Sequence, residues 1–360
     1  MVGLMLAMAS IGKMVMDIPG GVLIPRLGIK KSMLLGAFLI ALSTIGMFFS
    51  KSPLEVLLYQ FILGTGGVFL HTARLTYAAA MTENENRGRS LSALGGTNRI
   101  SRIFAPALGG ALVTAITLQF PFLVSGFIFF VAIAIMAFFT PNVYAKPREA
   151  TSNLRVLWQV FKNKAGILWR VGIGAFLLTT VRMARFTLLP LFAAGVLNLN
   201  AAQIGVILSA ASVADVLNVY SAGLIMDRFG RRWAAIPCVG VMALSMLLMP
   251  LTNGFWGLLL VGVIAGAGNG FGSGIMMTMG SDMAPVENRE EFLSLWILIL
   301  DLGGIACPLI VGAISETFSL TVSGFAFFGI GVVGVLAFLF LVPETNRYKR
   351  VSAKPTTTTS

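Results

Sequence analysis

Long apolar runs alternate with short polar and basic interruptions along nearly the whole chain. A hydrocarbon core about 30 Å thick takes roughly 20 helical residues. On that basis the runs fall at 1–24, 32–50, 54–80, 90–117, 120–140, 167–196, 203–226, 233–252, 255–281, 292–315 and 320–342. The pattern predicts an all-α polytopic membrane protein with about eleven transmembrane helices. Residues 141–166 form the one long polar connector, with Pro141, Pro147 and an amphipathic second part. The expected organisation is a helix bundle over 1–140, the connector over 141–166, a second bundle over 167–342 and a tail over 343–360.

Composition narrows the function classes. Of 360 residues, 57% are hydrophobic and 11% charged, against about 25% charged in a soluble domain. That argues against a water-soluble enzyme and against disorder. The excess of 26 Lys+Arg over 14 Asp+Glu would suggest nucleic acid in a soluble chain. With the connector placed in the cytoplasm, however, alternation puts 19 of the 26 basic residues on that side and only Lys51 opposite. The positive-inside rule absorbs the excess, so no nucleic-acid partner is expected, and the connector and C-terminus read as cytoplasmic. Cys238 and Cys307 lie inside apolar runs and suggest neither a disulfide framework nor a thiolate metal site. No cofactor or metal is expected.

The two halves repeat. Gly21 and Gly223, Arg26 and Arg228, Gly28 and Gly230, Gly64 and Gly266, Arg87 and Arg289, and Pro106 and Pro308 are each separated by 202 residues, without a gap. Such repeats build many transporters as two bundles around a central site. In this register the 167–196 span has its partner upstream of Met1, so the first half reads as lacking its first helix, as in a truncated gene model. The expectation is one more apolar span encoded upstream.

Three pairs of strings carry chemistry. GLIMDRFGRR, Gly223 to Arg232, reads as a tight cytoplasmic turn. In it Gly223 would allow close helix contact, Asp227 would meet a helix N-terminus or a basic partner, and Arg228, Arg231 and Arg232 would hold the loop inside. Its counterpart GVLIPRLGIKK, Gly21 to Lys31, keeps Arg26 and Gly28 but has Pro25 at the position of Asp227. LGTGG (63–67) and AGAGN (265–269) form a second pair. SRIFAPALGG (101–110), with Pro106, Gly109 and Gly110, and CPLIVG (307–312), with Pro308, form a third. Proline among small residues lets helices bend and approach closely.

These strings resemble the signature loop, the fourth-helix motif and the fifth-helix antiporter motif of the major facilitator superfamily. The chain departs from the family pattern at Pro25, at Gln60 in place of an arginine, and at Ser101 and Ala105 in place of glycines. The resemblance implies a two-bundle fold of which helices 2–12 are present. It also implies alternating access and, through the antiporter-type motif, proton-coupled export of a small solute.

Nine charged residues fall at membrane depth, away from the span ends: Lys13, Asp17, Arg74, Arg99, Arg102, Arg182, Arg185, Asp215 and Asp301. A charge at membrane depth is costly and usually faces a cavity or a partner. Six basic against three acidic favours a substrate bearing a carboxylate or another anionic group. Arg99 and Arg102, like Arg182 and Arg185, are three apart and read as two clamps, since the planar guanidinium suits such groups. Pairing of these arginines with Asp17, Asp215 and Asp301 to lock helices is the alternative. Lys13 and Asp17 read as a local pair. Asp215 and Asp301 are the proton-coupling candidates. Arg99, Arg182, Arg185, Asp215 and Asp301 are expected to border one central cavity. His71, the only histidine, reads as polar packing.

The sequence thus points to a monomeric secondary transporter in the lipid bilayer of the plasma membrane. Its partners would be protons and a small organic solute. Uptake or facilitated diffusion of an organic anion stands as the alternative. Neither the paired histidines nor the G-x-S-x-G elbow of a membrane enzyme is present, nor a P-loop for ATP, so no enzyme is expected.

Overall fold

The computed structural model describes residues 1–81, 87–142 and 154–345. It contains α1 (Val2–Leu27), α2 (Ile29–Phe49), α3 (Pro53–Met81), α4 (Arg87–Ala115), α5 (Phe120–Phe139), α6 (Leu154–Gly195), α7 (Ala201–Leu217), α8 (Val219–Arg228), α9 (Arg231–Leu248), α10 (Phe255–Phe271), α11 (Ile275–Met283), α12 (Arg289–Thr317) and α13 (Leu320–Phe340). A short 3-10 turn, Met249–Leu251, extends α9. Among the described residues, ten segments are long and apolar enough to cross a membrane. The eleventh expected span, 90–117, is the helix α4, but Asn98, Arg99 and Arg102 interrupt its apolar run and it falls outside that set.

The 202-residue register reappears in the helix ends. α4 and α12 match at both ends, α2 matches α9 with its 3-10 turn, and α3 matches the segment from the start of α10 to the end of α11. The second copy differs from the first in two interruptions. The counterpart of α1 breaks at Asn218 between α7 and α8, and the counterpart of α3 breaks at Gly272–Gly274 between α10 and α11. Gly274 takes φ +78° and starts α11.

α6 also departs from the expected span. It begins at Leu154 rather than 167, so the later part of the polar connector continues the membrane helix. Leu157, Val160 and Leu168 are buried along one side of it, which explains why these turns stay helical.

The chain forms two compact units. The first comprises Met1–Asn153 with Asn198–Ser209 and Ile305–Thr317; the second comprises Leu154–Leu197, Ala210–Gly304 and Phe318–Ser360. Lipid tails are as apolar as leucine, so within each unit close backbone approach has to do what the hydrophobic effect does in water. In the first unit Gly64 lies so near the Ala9 carbonyl that a Cβ would overlap it. In the second, Gly266 meets the Ala211 carbonyl in the same way, and both members of the contact obey the 202 register. The core of the second unit gathers Leu168, Val171 and Leu178 of α6 with Met276 and Met279 of α11, Phe292 and Trp296 of α12, and Phe338 of α13. The buried Trp296 indole donates to the Met276 carbonyl at 2.8 Å, so its polar atom is satisfied.

Candidate functional site

The two interruptions of the second unit flank a buried polar cluster. Arg185 of α6 is almost fully enclosed, its side chain 3% exposed beside an Asp215 side chain 13% exposed. Its Nη2 donates to Asp215 Oδ2 at 3.4 Å and its Nη1 to the Ala211 carbonyl at 3.4 Å. Its guanidinium carbon lies 4.5 Å from the centroid of the Phe186 ring. The same Asp215 oxygen accepts a bond from Asn269 Nδ2 at 2.7 Å. One turn earlier, Arg182 Nη2 donates to the Gly272 carbonyl at 3.2 Å, at the frayed end of α10. Breaking a membrane helix leaves backbone groups that need new partners, and Arg182 supplies one. Asp215 stands three residues before the break at Asn218, and Asn269 three before the break at Gly272. Asp301 lies half-buried on α12, two residues before Gly303, where a Cβ would come within 2.7 Å of the Phe176 carbonyl.

In the first unit, Arg74 of α3 donates to Asn98 Oδ1 of α4 at 3.4 Å. Arg74 and Lys13 both act electrostatically on His71. His71 and Lys13 are exposed, Asp17 and Arg99 half-buried and Arg102 exposed. Among the described residues, no group of three or more His, Cys, Asp or Glu side chains is placed to hold a metal ion.

The loop motif is built differently from its sequence reading. At Gly21 and Gly223 a Cβ would meet nothing within 4 Å, so neither is needed for helix contact. Asp227 and Arg228 are exposed. The carboxylate at the start of α9 is instead that of Glu344, which accepts from the backbone N–H of Arg231 at 2.9 Å and of Arg232 at 3.2 Å. Gly230 takes φ +108° there, and a Cβ would overlap the Glu344 carboxyl group. The Arg231 side chain is nearly buried and bonds Asp282 Oδ2 at 2.9 Å and the Met226 carbonyl at 3.1 Å.

Arg232 bonds the Leu339 carbonyl, and 202 residues earlier Lys30 Nζ bonds the Ala137 carbonyl at 2.8 Å. The rest of this network has no counterpart in the first unit. Ile29, Ala80 and Asn142 occupy the positions of Arg231, Asp282 and Glu344, and Gly28 keeps the positive φ, +89°, alone. Sequence reasoning missed Glu344 and Asp282. The pair Pro141–Asn142 against Pro343–Glu344 was the available signal. Glu344→Gln should lower stability by about 1 kcal/mol, since it removes the charge from a helix N-terminus and leaves one of two N–H groups unsatisfied. Thermal unfolding of the purified chain reads this, and an unchanged midpoint would refute the assigned cap.

The proline motif forms contacts inside the first unit. A Cβ on Gly3 would overlap the Pro308 carbonyl, and a Cβ on Gly205 would overlap the Pro106 carbonyl. These two contacts are related by the 202 register with the halves exchanged. Gly110 and Gly312 take part, against the Ala201 carbonyl and Gly3 respectively, whereas Gly109 has open space. The Ala107 N–H, one residue after the proline, donates to Ser209 Oγ at 3.1 Å. Thr114 Oγ1 accepts from the Ala202 N–H at 3.1 Å.

Comparison with known proteins agrees with this architecture. The chain is 27% identical to an uncharacterised transporter of Buchnera aphidicola over 53% of its own length and 48% of that protein. It is 27% identical to an uncharacterised transporter of Bacillus subtilis over 58% of its length and 52% of that protein. The chain thus spans about half the length of these relatives in the matched regions. The crystal structure of the nucleoside transporter NupG shares the fold, with a TM-score of 0.76 at 14% identity, over 95% of this chain and 90% of that one. The sequence profile of the Major Facilitator Superfamily matches residues 1–216 and again 171–359. A profile that matches twice along a chain already seen to repeat leaves one assignment: the chain belongs to the Major Facilitator Superfamily and is a multi-pass membrane protein.

Proposed function

We propose that this chain is a proton-coupled secondary transporter that exports a small organic solute by alternating access. In this reading the bundles 1–140 and 167–342 move against each other, with connector and C-terminus cytoplasmic, as a monomer in the plasma membrane. The observation that carries it is the environment of Asp215. Its Oδ2 is shared by Arg185 and Asn269 in a largely buried site between two helix interruptions. In this reading Asp215 is the coupling carboxylate, and drawing Arg185 toward a solute anion would release it from its cation. Arg99, Arg102, Arg182 and Arg185 would orient an anionic group of the solute, and Asp301 would be the second coupling carboxylate. The register-related contacts Gly3–Pro308 and Gly205–Pro106 support alternating access, because they join helices through backbone alone and need no side chain to be displaced on opening.

The test is flux of a solute found by screening, in proteoliposomes with and without an imposed pH gradient. Asp215→Asn should keep exchange of solute across the membrane and lose its acceleration by the gradient. Full gradient-driven transport by Asp215→Asn and by Asp301→Asn would make both carboxylates structural.

A further inference from the structure

The 202 register aligns charges of opposite sign. Lys13 corresponds to Asp215 and Arg99 to Asp301, so the two positions that carry carboxylates in the second unit carry cations in the first. The alignment is secure at both places, because the Ala9–Gly64 contact beside Lys13 repeats as Ala211–Gly266, and α4 and α12 share their ends. The interior of the second unit is balanced, with Arg182 and Arg185 against Asp215 and Asp301. On α1, α3 and α4 of the first the tally differs. Lys13, Arg74, Arg99 and Arg102 stand against Asp17, and the other carboxylate on α1, α3 and α4 is Glu55, which accepts from the Lys51 N–H at the far end of α3.

Arg74 sharpens the contrast. Its hydrogen bond among the described residues is one long contact to Asn98, and its Nε is buried without any. A guanidinium has five donors, so most of its capacity remains for a ligand. Arg185, by comparison, is engaged by a carboxylate, a carbonyl and a ring. His71, one turn before Arg74, is exposed, and its counterpart in the second unit is Ser273, as Met276 is that of Arg74.

From this we infer that the first unit carries an anion-recognition site of the transporter, formed by Lys13, His71, Arg74 and Asn98. It takes the carboxylate or phosphate group of the solute, while the second unit carries the proton-linked carboxylates. The inference rests on the reading of the chain as a solute carrier and assigns its substrate class, an organic anion.

The experiment needs no knowledge of the solute. The full chain with His71→Cys, in nanodiscs of zwitterionic phosphatidylcholine, is reacted with sulfonatoethyl (anionic) and trimethylammonioethyl (cationic) methanethiosulfonates. Cys238 and Cys307 are buried and can stay. Relative to free cysteine, the anionic reagent should be favoured about tenfold or more, as expected for a site that concentrates counter-ions. Adding Lys13→Gln and Arg74→Gln should remove the preference, and Arg74→Lys should keep it, which separates lost charge from lost fold.

Gluconate or inorganic phosphate should slow the anionic reagent and choline should not. Protection by gluconate alone assigns a carboxylate, and by phosphate alone a phosphate. Equal rates for the two reagents, a thiol unreactive to both, preference surviving the double substitution, or protection by choline would each overturn the site. No pH gradient enters the measurement, so a failure of proton coupling at Asp215 would leave its outcome unchanged.

Discussion

Replacing Arg185 by methionine should destabilise the chain by about 3–5 kcal/mol, the usual cost of stripping one partner from a buried ion pair. The guanidinium and the Asp215 carboxylate are 3% and 13% exposed, so water cannot take over the lost interaction. Asn269 still donates to Asp215, so the lower end of the range is the better expectation. Removing both charges with Arg185→Met and Asp215→Leu should restore most of the loss, because a buried ion pair is worth little over apolar groups of similar volume. Thermal unfolding of the two variants in nanodiscs decides the matter. If Arg185→Met alone unfolds with the unaltered chain, the pair does not hold α6 to α7.

Valine at position 205 should cut transport about tenfold or more while leaving the helices formed. A Cβ there would overlap the Pro106 carbonyl, and branching adds bulk beside the Ala107–Ser209 and Ala202–Thr114 bonds. Overpacking of this kind typically costs about 1–3 kcal/mol, which a chain can absorb by moving α7 off α4. The fold would survive and the contact would not. Gly3→Val should act alike through Pro308, and Gly109→Ala, where there is open space, should be silent. Flux together with circular dichroism reads both properties. Undiminished flux in Gly205→Val and Gly3→Val would mean that these contacts take no part in the transport cycle.

The repeat was legible because glycine and proline positions mark where backbone meets backbone. Gly64 with Gly266 and Pro106 with Pro308 fixed a register that the helix ends then reproduced. The breaks at Asn218 and Gly272–Gly274 were not legible, since glycine is common inside membrane helices and does not by itself announce an interruption. Asn218 bonds back to the Ala214 carbonyl at 3.0 Å, a local contact with no signature in the sequence. Spacing put Arg182 and Arg185 near one helix face, yet one serves the frayed end of α10 and the other Asp215, a division set by what α7 and α10 place opposite. The loop motif directed attention to Asp227, whereas the carboxylate at the start of α9 comes from Glu344, more than a hundred residues later. A distant partner of this kind shows only when the ends of α9 and α13 are brought together.

α6 has 42 residues and no acidic side chain. At 1.5 Å per residue it is a rod about 63 Å long, roughly twice the hydrocarbon thickness of a bilayer. A rod of that length is a lever: a tilt of about 10° about its midpoint carries each end through roughly 5 Å. Near its first turns Trp158, 66% exposed, stacks on Phe161 with ring centroids 5.7 Å apart. The protein therefore carries an indole near the tip of a long lever arm, where small rotations about the middle become large displacements.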